Sequence, residues 1–217
     1  MNIILLGPQG CGKGTQASLL EKKYNLQHLE MGRIFRNIAA SDASNALEIK
    51  KMIESGKLAP DELTGKIAEE FIETHHPRVN GFVFEGYPRT VGQYHWVKQI
   101  LKRYDRKINL VINIEISEEE TVKRLSARRT CINCGHVFNL NSNPSRLEDV
   151  CDLCSGKLVH REDDKPEAIK RRLQIYRELT HPVFEEAVNE GVGVEVNGEL
   201  PIEQVFEEID LVVSKLK

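Results

Sequence analysis

The sequence predicts an α/β fold, a parallel sheet with helices on both faces. Two observations carry that expectation. Residues 2–6, 82–84, 110–114 and 192–196 are short runs dominated by Ile, Val, Leu and Phe, the pattern of strands buried on both faces. Between them lie amphipathic stretches of helical period at 61–75, 91–103, 118–128 and 166–189. Strands that alternate with helices build parallel sheets.

The elements follow in order. Residues 2–6 form a first strand that runs into a glycine-rich turn, and 16–24 form the helix after it. Residues 30–60 read as a helical insertion. The helix beginning at Pro166 has Asp164 as its candidate N-cap, proline early and Glu167 in its first turn, all favourable at a helix start. Pro201 opens the last helix, with Glu203 in its first turn and Lys215 and Lys217 near its end, matching the helix dipole.

Composition narrows the function. Hydrophobic residues make up 40% of the 217 and charged residues 29%, enough apolar material for a core. The 30 Lys and Arg against 33 Asp and Glu leave a net charge of −3, which argues against a dedicated nucleic-acid or membrane-surface binder. No apolar run approaches bilayer length, and the opening Met1–Gly7 is too short for a secretory signal. A soluble, cytoplasmic protein is expected.

From Thr130 to about Asp164 the composition shifts to Cys, Asn, Ser, Gly and Pro. Such a segment is too small to hold a core without a staple. Four of the five cysteines supply one, as Cys131-x2-Cys134-x16-Cys151-x2-Cys154. Two knuckles of this spacing complete a tetrahedron around zinc with no open position, so the site should be structural. Iron suits the same thiolates, and a pair of disulfides or idle thiols is the competing reading. His136 and His160 read as loop histidines.

The turn after the first strand reads Gly7-Pro8-Gln9-Gly10-Cys11-Gly12-Lys13-Gly14-Thr15. Glycines let backbone N–H groups turn in on a phosphate, the helix N-terminus favours its charge, and Lys13 reaches the outer phosphates. Gly14 separates the lysine from Thr15, a departure from the strict loop pattern. Arg124, Arg128, Arg129, Arg161, Arg171 and Arg172 crowd the cysteine segment, and Arg124 and Arg128 are spaced to share one helix face. Charge runs are usually solvated, but phosphoryl transfer needs a cage of guanidinium groups. In Gly81–Thr90, Glu85 and Arg89, with Gln93 beyond, fall at the carboxyl end of a strand, where open α/β sheets bind ligands.

As a set, these residues resemble the adenylate kinase family in its long-lid, zinc-containing bacterial form. The resemblance spans the chain: the Gly7–Gln16 loop, Gly56–Asp61, Gly81–Thr90 with Gln93, Arg124 and Arg128, the cysteine insertion, Arg161–Asp164, Arg172 and Asn197-Gly198. It implies a P-loop kinase with a five-stranded parallel sheet that reversibly transfers the γ-phosphoryl of Mg-ATP to AMP, giving two ADP. Residues 1–29, 61–126 and 165–217 would form the core, 30–60 a helical NMP-binding arm, and 127–164 a small mobile lid stapled by the zinc site. Lys13, Arg89, Arg124, Arg161 and Arg172 would be catalytic. ATP would meet Gly10, Cys11, Gly12, Lys13, Gly14, Thr15, Arg128, backbone at Val137 and Phe138, and Leu200. AMP would meet Met31, Arg36, Lys57, Leu58, Ala59, Gly86, Tyr87, Pro88, Arg89, Gln93, Arg161 and Arg172. The cofactors implied are Mg2+ with ATP and structural Zn2+ on Cys131, Cys134, Cys151 and Cys154, and a monomer is the family expectation.

Three residues depart from the family pattern. Met31 and Arg33 stand in the turn that precedes Arg36, where the family carries Thr-Gly-Asp, and Glu85 stands for an aspartate. The expectation is that Arg33 and Glu85 pair across the cleft. A kinase with another or relaxed acceptor base, or a nucleotide-binding protein with weak turnover, are the alternatives. A zinc-knuckle nucleic-acid binder is disfavoured by the acidic balance and by the lack of interleaved aromatics.

Overall fold

A computed structural model describes residues 1–216. Strands β1 (Asn2–Leu6), β2 (Gln27–Glu30), β3 (Phe82–Glu85), β4 (Leu110–Glu115) and, near the end of the chain, Gly193–Asn197 form one sheet. Its order is β2, β3, β1, β4 and the late strand, every neighbour parallel. Alternate residues of each strand divide the core in two. Ile3, Leu5, Val83, Leu110 and Ile112 face helices α1 (Lys13–Tyr24) and the C-terminal Ile202–Val213. Ile4, Leu6, Phe82, Phe84 and Val111 face α4 (Asp61–His75) and α5 (Val91–Lys102), with Val183 and Ala187 from later in the chain. The predicted α/β layering is thus realised.

The chain contains a strand that its pattern does not announce. β2 reads Gln-His-Leu-Glu, only Leu29 being an aliphatic side chain. An edge strand with one neighbour can carry polar residues that a central strand cannot. The insertion after it folds as α2 (Met31–Ala39) and α3 (Ala46–Glu54).

After α6 (Glu118–Ser126), strands β5 (Arg128–Cys131), β6 (Val137–Asn139) and β7 (Leu158–Val159) make a separate antiparallel sheet of order β6, β5, β7. Its core is small: Cys131, Phe138, Cys151 and Leu158. Arg128 therefore begins a strand instead of ending a helix, and it does not share the helix face of Arg124. Asp164 is not the N-cap of α7 (Pro166–Ile175). That position falls to Lys165, which makes no side-chain cap, because the Asp164 carboxylate is taken by Arg128.

The expected single helix over 166–189 is interrupted. A five-residue π turn, Tyr176–Thr180, separates α7 from α8 (His181–Asn189), and β8 (Gly193–Asn197) and α9 (Ile202–Val213) complete the chain. The turn coincides with a buried polar anchor: the Tyr176 hydroxyl lies 2.9 Å from Asn113 Oδ1 and 2.6 Å from Glu115 Oε2, both on β4. π turns inside helices mark places where a local constraint overrides regular winding. Asn113 is fully buried, so Tyr176→Phe should cost about 1–3 kcal/mol through polar groups left unpaired. Urea unfolding of the two proteins measures that difference.

Candidate active site

The carboxyl ends of β1, β2 and β3, together with strands β5 and β6 of the small sheet, enclose a cleft of about 1220 Å3. That exceeds the roughly 300–1,000 Å3 of a single-ligand pocket. At its floor the loop after β1 turns on glycines. Gly7 has φ +136°, and a Cβ there would lie 2.3 Å from the Ile114 carbonyl oxygen. Gly12 caps α1 in the left-handed region. The first N–H groups of α1 have no acceptor within the helix and open toward the cleft. Lys13 Nζ donates to the Gly7 and Pro8 carbonyls at 2.8 and 2.6 Å, folded over the position its own loop prepares for an anion.

Guanidinium groups face this loop. Arg161 donates to both oxygens of Asp163 at 2.8 and 2.6 Å, and Arg172 reaches the same carboxylate at 2.8 Å. Arg128 forks onto Asp164. Arg124 is held by Glu120 one turn back at 2.8 Å, and Arg89 donates to Gly86 O at 3.0 Å. Asp163 and Asp164 are almost fully buried, at 6% and 3% exposure. Burial works to raise the Asp163 pKa, but Arg172 and Arg161 outweigh it and hold the carboxyl below the usual range. Burial, reinforced by Arg128, Arg161 and Arg89 against the pull of Asp163, presses the Arg172 pKa down. Cations crowded this way favour any anion placed among them.

Every nucleotide contact expected from the sequence lines this cleft except Tyr87. Tyr87 is 1% exposed, its ring in the core and its hydroxyl 3.4 Å from Gln93 O. Phe138 packs inside the small sheet, so only its backbone is free to border a base. Met31 is buried with Phe35, Phe84 and Tyr87. The Gln93 amide accepts from Arg89 N at 2.7 Å and donates to Asp61 at 2.6 Å.

The expected Arg33–Glu85 pair is not formed. Arg33 Nε lies 3.2 Å from Glu30, and Glu85 lies 3.1 Å from His28 Nε2. The physical reason is register: Glu30 and Glu85 are direct neighbours across β2 and β3. Arg33, a turn into α2, meets the nearer carboxylate. His28 and Glu30 are site residues that sequence reasoning missed, and Asp163 figures in it only within the Arg161–Asp164 stretch, without a role. The alternation of β2 was the one available signal, since it sets His28 and Glu30 on a common face.

The four late cysteine sulfurs lie within 4.8 Å of one another, with 3.4 Å between Cys131 and Cys154 and 3.6 Å between Cys134 and Cys151. Tetrahedral zinc at about 2.3 Å from each sulfur needs separations of this size. The backbone N–H of Cys134 pulls the Cys131 thiol down to about 6, favouring the thiolate a metal requires. The site fits structural zinc with every donor from protein.

A sheet that starts its first helix on a glycine loop, and surrounds that loop with guanidinium groups, defines a P-loop phosphoryl transferase. Comparison with known proteins narrows the class. The family model described as adenylate kinase matches residues 5–192. Curated adenylate kinases from Lactobacillus gasseri, Methanothrix thermoacetophila and Archaeoglobus fulgidus are 41%, 39% and 37% identical, covering 99–100% of both chains in each case. The chain belongs to the adenylate kinase family, enzymes that exchange a phosphoryl group between Mg-ATP and AMP to give two ADP.

Two outcomes are expected. Purified protein should carry about one zinc per chain. Its removal by a chelator, or Cys151→Ser, should abolish amide-exchange protection across 128–159 while β1, β3 and β4 stay protected. Asp163→Asn should lose on the order of 3 kcal/mol at pH 7 by leaving buried arginines unpaired. Because the folded carboxyl is depressed, its contribution is fully present above its unfolded pKa of about 3.9 and is lost as pH falls through the folded value. The gap between wild type and variant should therefore narrow in acid, as urea titrations at pH 7 and pH 3 would record.

Proposed function

We propose that the cleft performs reversible phosphoryl transfer from Mg-ATP to AMP with the roles the sequence reading gave its residues. The observation that carries this reading is the convergence of Lys13 and the arginines at 36, 89, 124, 128, 161 and 172 on one cleft. Gly10–Thr15 cradle the ATP phosphates, and Lys13 leaves the Gly7 and Pro8 carbonyls to follow the transferred group. Arg124, Arg161 and Arg172 stabilise charge on the moving phosphoryl, and Arg128 acts from the ATP side. Backbone at 137–138 and Leu200 border the ATP base. AMP is held by Arg36, Lys57–Ala59, Gly86, Pro88, Arg89 and Gln93, with Tyr87 acting through backbone. Phosphoryl transfer demands positioning and charge compensation more than covalent help from protein, and this chain supplies cations in quantity.

Residues 1–29, 61–126 and 165–217 act as the core, 30–60 as the arm over AMP, and 127–164 as a lid. The lid excludes water that would otherwise accept the phosphoryl group. Arg128 and Arg161 sit at its two roots, so closure assembles the cage. Zinc keeps the lid rigid and takes no part in transfer. The protein works as a cytoplasmic monomer. No helix among the described residues is long and apolar enough to cross a membrane. The Met31 side chain packs in the core at the wall of the cleft.

Incubation with Mg-ATP and AMP, GMP, CMP or UMP in parallel, reading diphosphates directly, tests the proposal. AMP should be strongly preferred, and Lys13→Ala should lower turnover by roughly 10²- to 10³-fold. Zinc-loaded protein that binds ATP yet transfers to none of the four would overturn it.

A further inference from the structure

Glu30 ends β2 inside the cleft, and both of its oxygens are engaged by arginine. Oε1 accepts from Arg36 Nη2 at 2.8 Å, and Oε2 lies 3.2 Å from Arg33 Nε. The pair is half sheltered, with side-chain exposures of 25% for Glu30 and 29% for Arg36. The neighbouring carboxylate, Glu85, makes its direct contact with His28, whose Nε2 sits 3.1 Å from Oε2 and must donate there. Among the described residues Glu30 is the carboxylate in direct contact with Arg36, while Asp163 and Glu85 act on it from further away. Burial, with the Glu85 charge beside it, raises the Glu30 pKa despite both arginines. The carboxylate stands where its own charge is unwelcome and stays because cations hold it.

Resting on the proposed reading of Arg36 as a group that binds the acceptor phosphate, we propose that Glu30 is an internal anion that occupies Arg36 in the ligand-free enzyme and sets acceptor affinity by competing for it. A carboxylate and a phosphate offer the same kind of anionic oxygen to a guanidinium group, and Glu30 already takes Arg36 Nη2 through Oε1, so the arriving phosphate competes for that donor. Arg33 gives the displaced carboxylate somewhere to go, since it already contacts the second oxygen. Binding of a nucleoside monophosphate becomes an exchange of one anion for another, and the affinity measured is the difference between two ion pairs. A carboxylate that remained nearby would repel the incoming dianion, so either geometry weakens acceptor binding. Arg33, which departs from the family pattern, gains a purpose as the release partner.

Calorimetric titration of AMP, without ATP, into zinc-loaded full-length wild type, Glu30→Gln, Arg36→Ala and the double variant tests this. Glu30→Gln should tighten AMP by roughly three- to tenfold, the range of a half-sheltered ion pair, and leave ATP affinity within about twofold. In steady state the KM for AMP should fall while kcat does not rise. The tightening should vanish in the Arg36→Ala background, as coupling between the two residues requires. Glu30→Ser, which removes the carboxylate without adding an amide, should tighten AMP in the same way and guards against an effect peculiar to glutamine. AMP binding unchanged or weakened in both Glu30 variants, with Arg36→Ala still weakening AMP, would overturn the competition alone. AMP affinity indifferent to Arg36→Ala would overturn the assignment of Arg36 itself.

Discussion

Guanidinium groups gathered beside the phosphate loop repel one another, and the rest of the structure depends on how that repulsion is contained. Arg161 and Arg172 share Asp163, Arg128 takes Asp164, Arg124 takes Glu120 and Arg36 takes Glu30. None of these carboxylates removes the need for an anion in the cleft. Two of them, Asp163 and Asp164, are nearly fully buried, where a single partner removed leaves an expensive unpaired charge. The arrangement is stable enough to fold and unsatisfied enough to bind phosphate.

The sheet makes this possible by delivering its residues from distant parts of the chain to one edge. β1 ends in the glycine loop, β3 ends in Glu85, β2 ends in Glu30 and β4 ends in Glu115. Parallel strands place all their carboxyl ends together, which is why open α/β sheets bind ligands there. The two halves of the core meet at different helices, so the cleft sits on an element packed from both sides. Precision at the site follows from that packing, since a cation displaced by an ångström loses much of its effect on a developing charge.

The zinc segment solves a separate problem. Three short strands around Phe138 and Leu158 bury too little to stand alone, and four thiolates converging on one metal hold them as a unit. Rigidity in this piece, with Arg128 and Arg161 fixed on its own Asp164 and Asp163, suits the proposed lid, which has to move as a body and arrive with its arginines already aimed.

By itself the sequence determined the fold class, the phosphate loop, the cysteine site and the set of cationic side chains, because each is written in local spacing: apolar runs, glycines before a lysine, paired two-residue knuckles. Tertiary structure decided the partners. Arg128 belongs to a strand and not to the helix of Arg124, Asp164 holds Arg128 instead of capping a helix, and Arg33 finds Glu30 because register sets Glu30 directly across from Glu85. The polar strand β2 escaped notice because an edge strand needs little apolar pattern, and the π turn at Tyr176 because its cause is a hydrogen bond to β4. Charge pairing at the site is a contest between neighbours brought together by the sheet. Spacing along the chain carries no record of which neighbour is nearer.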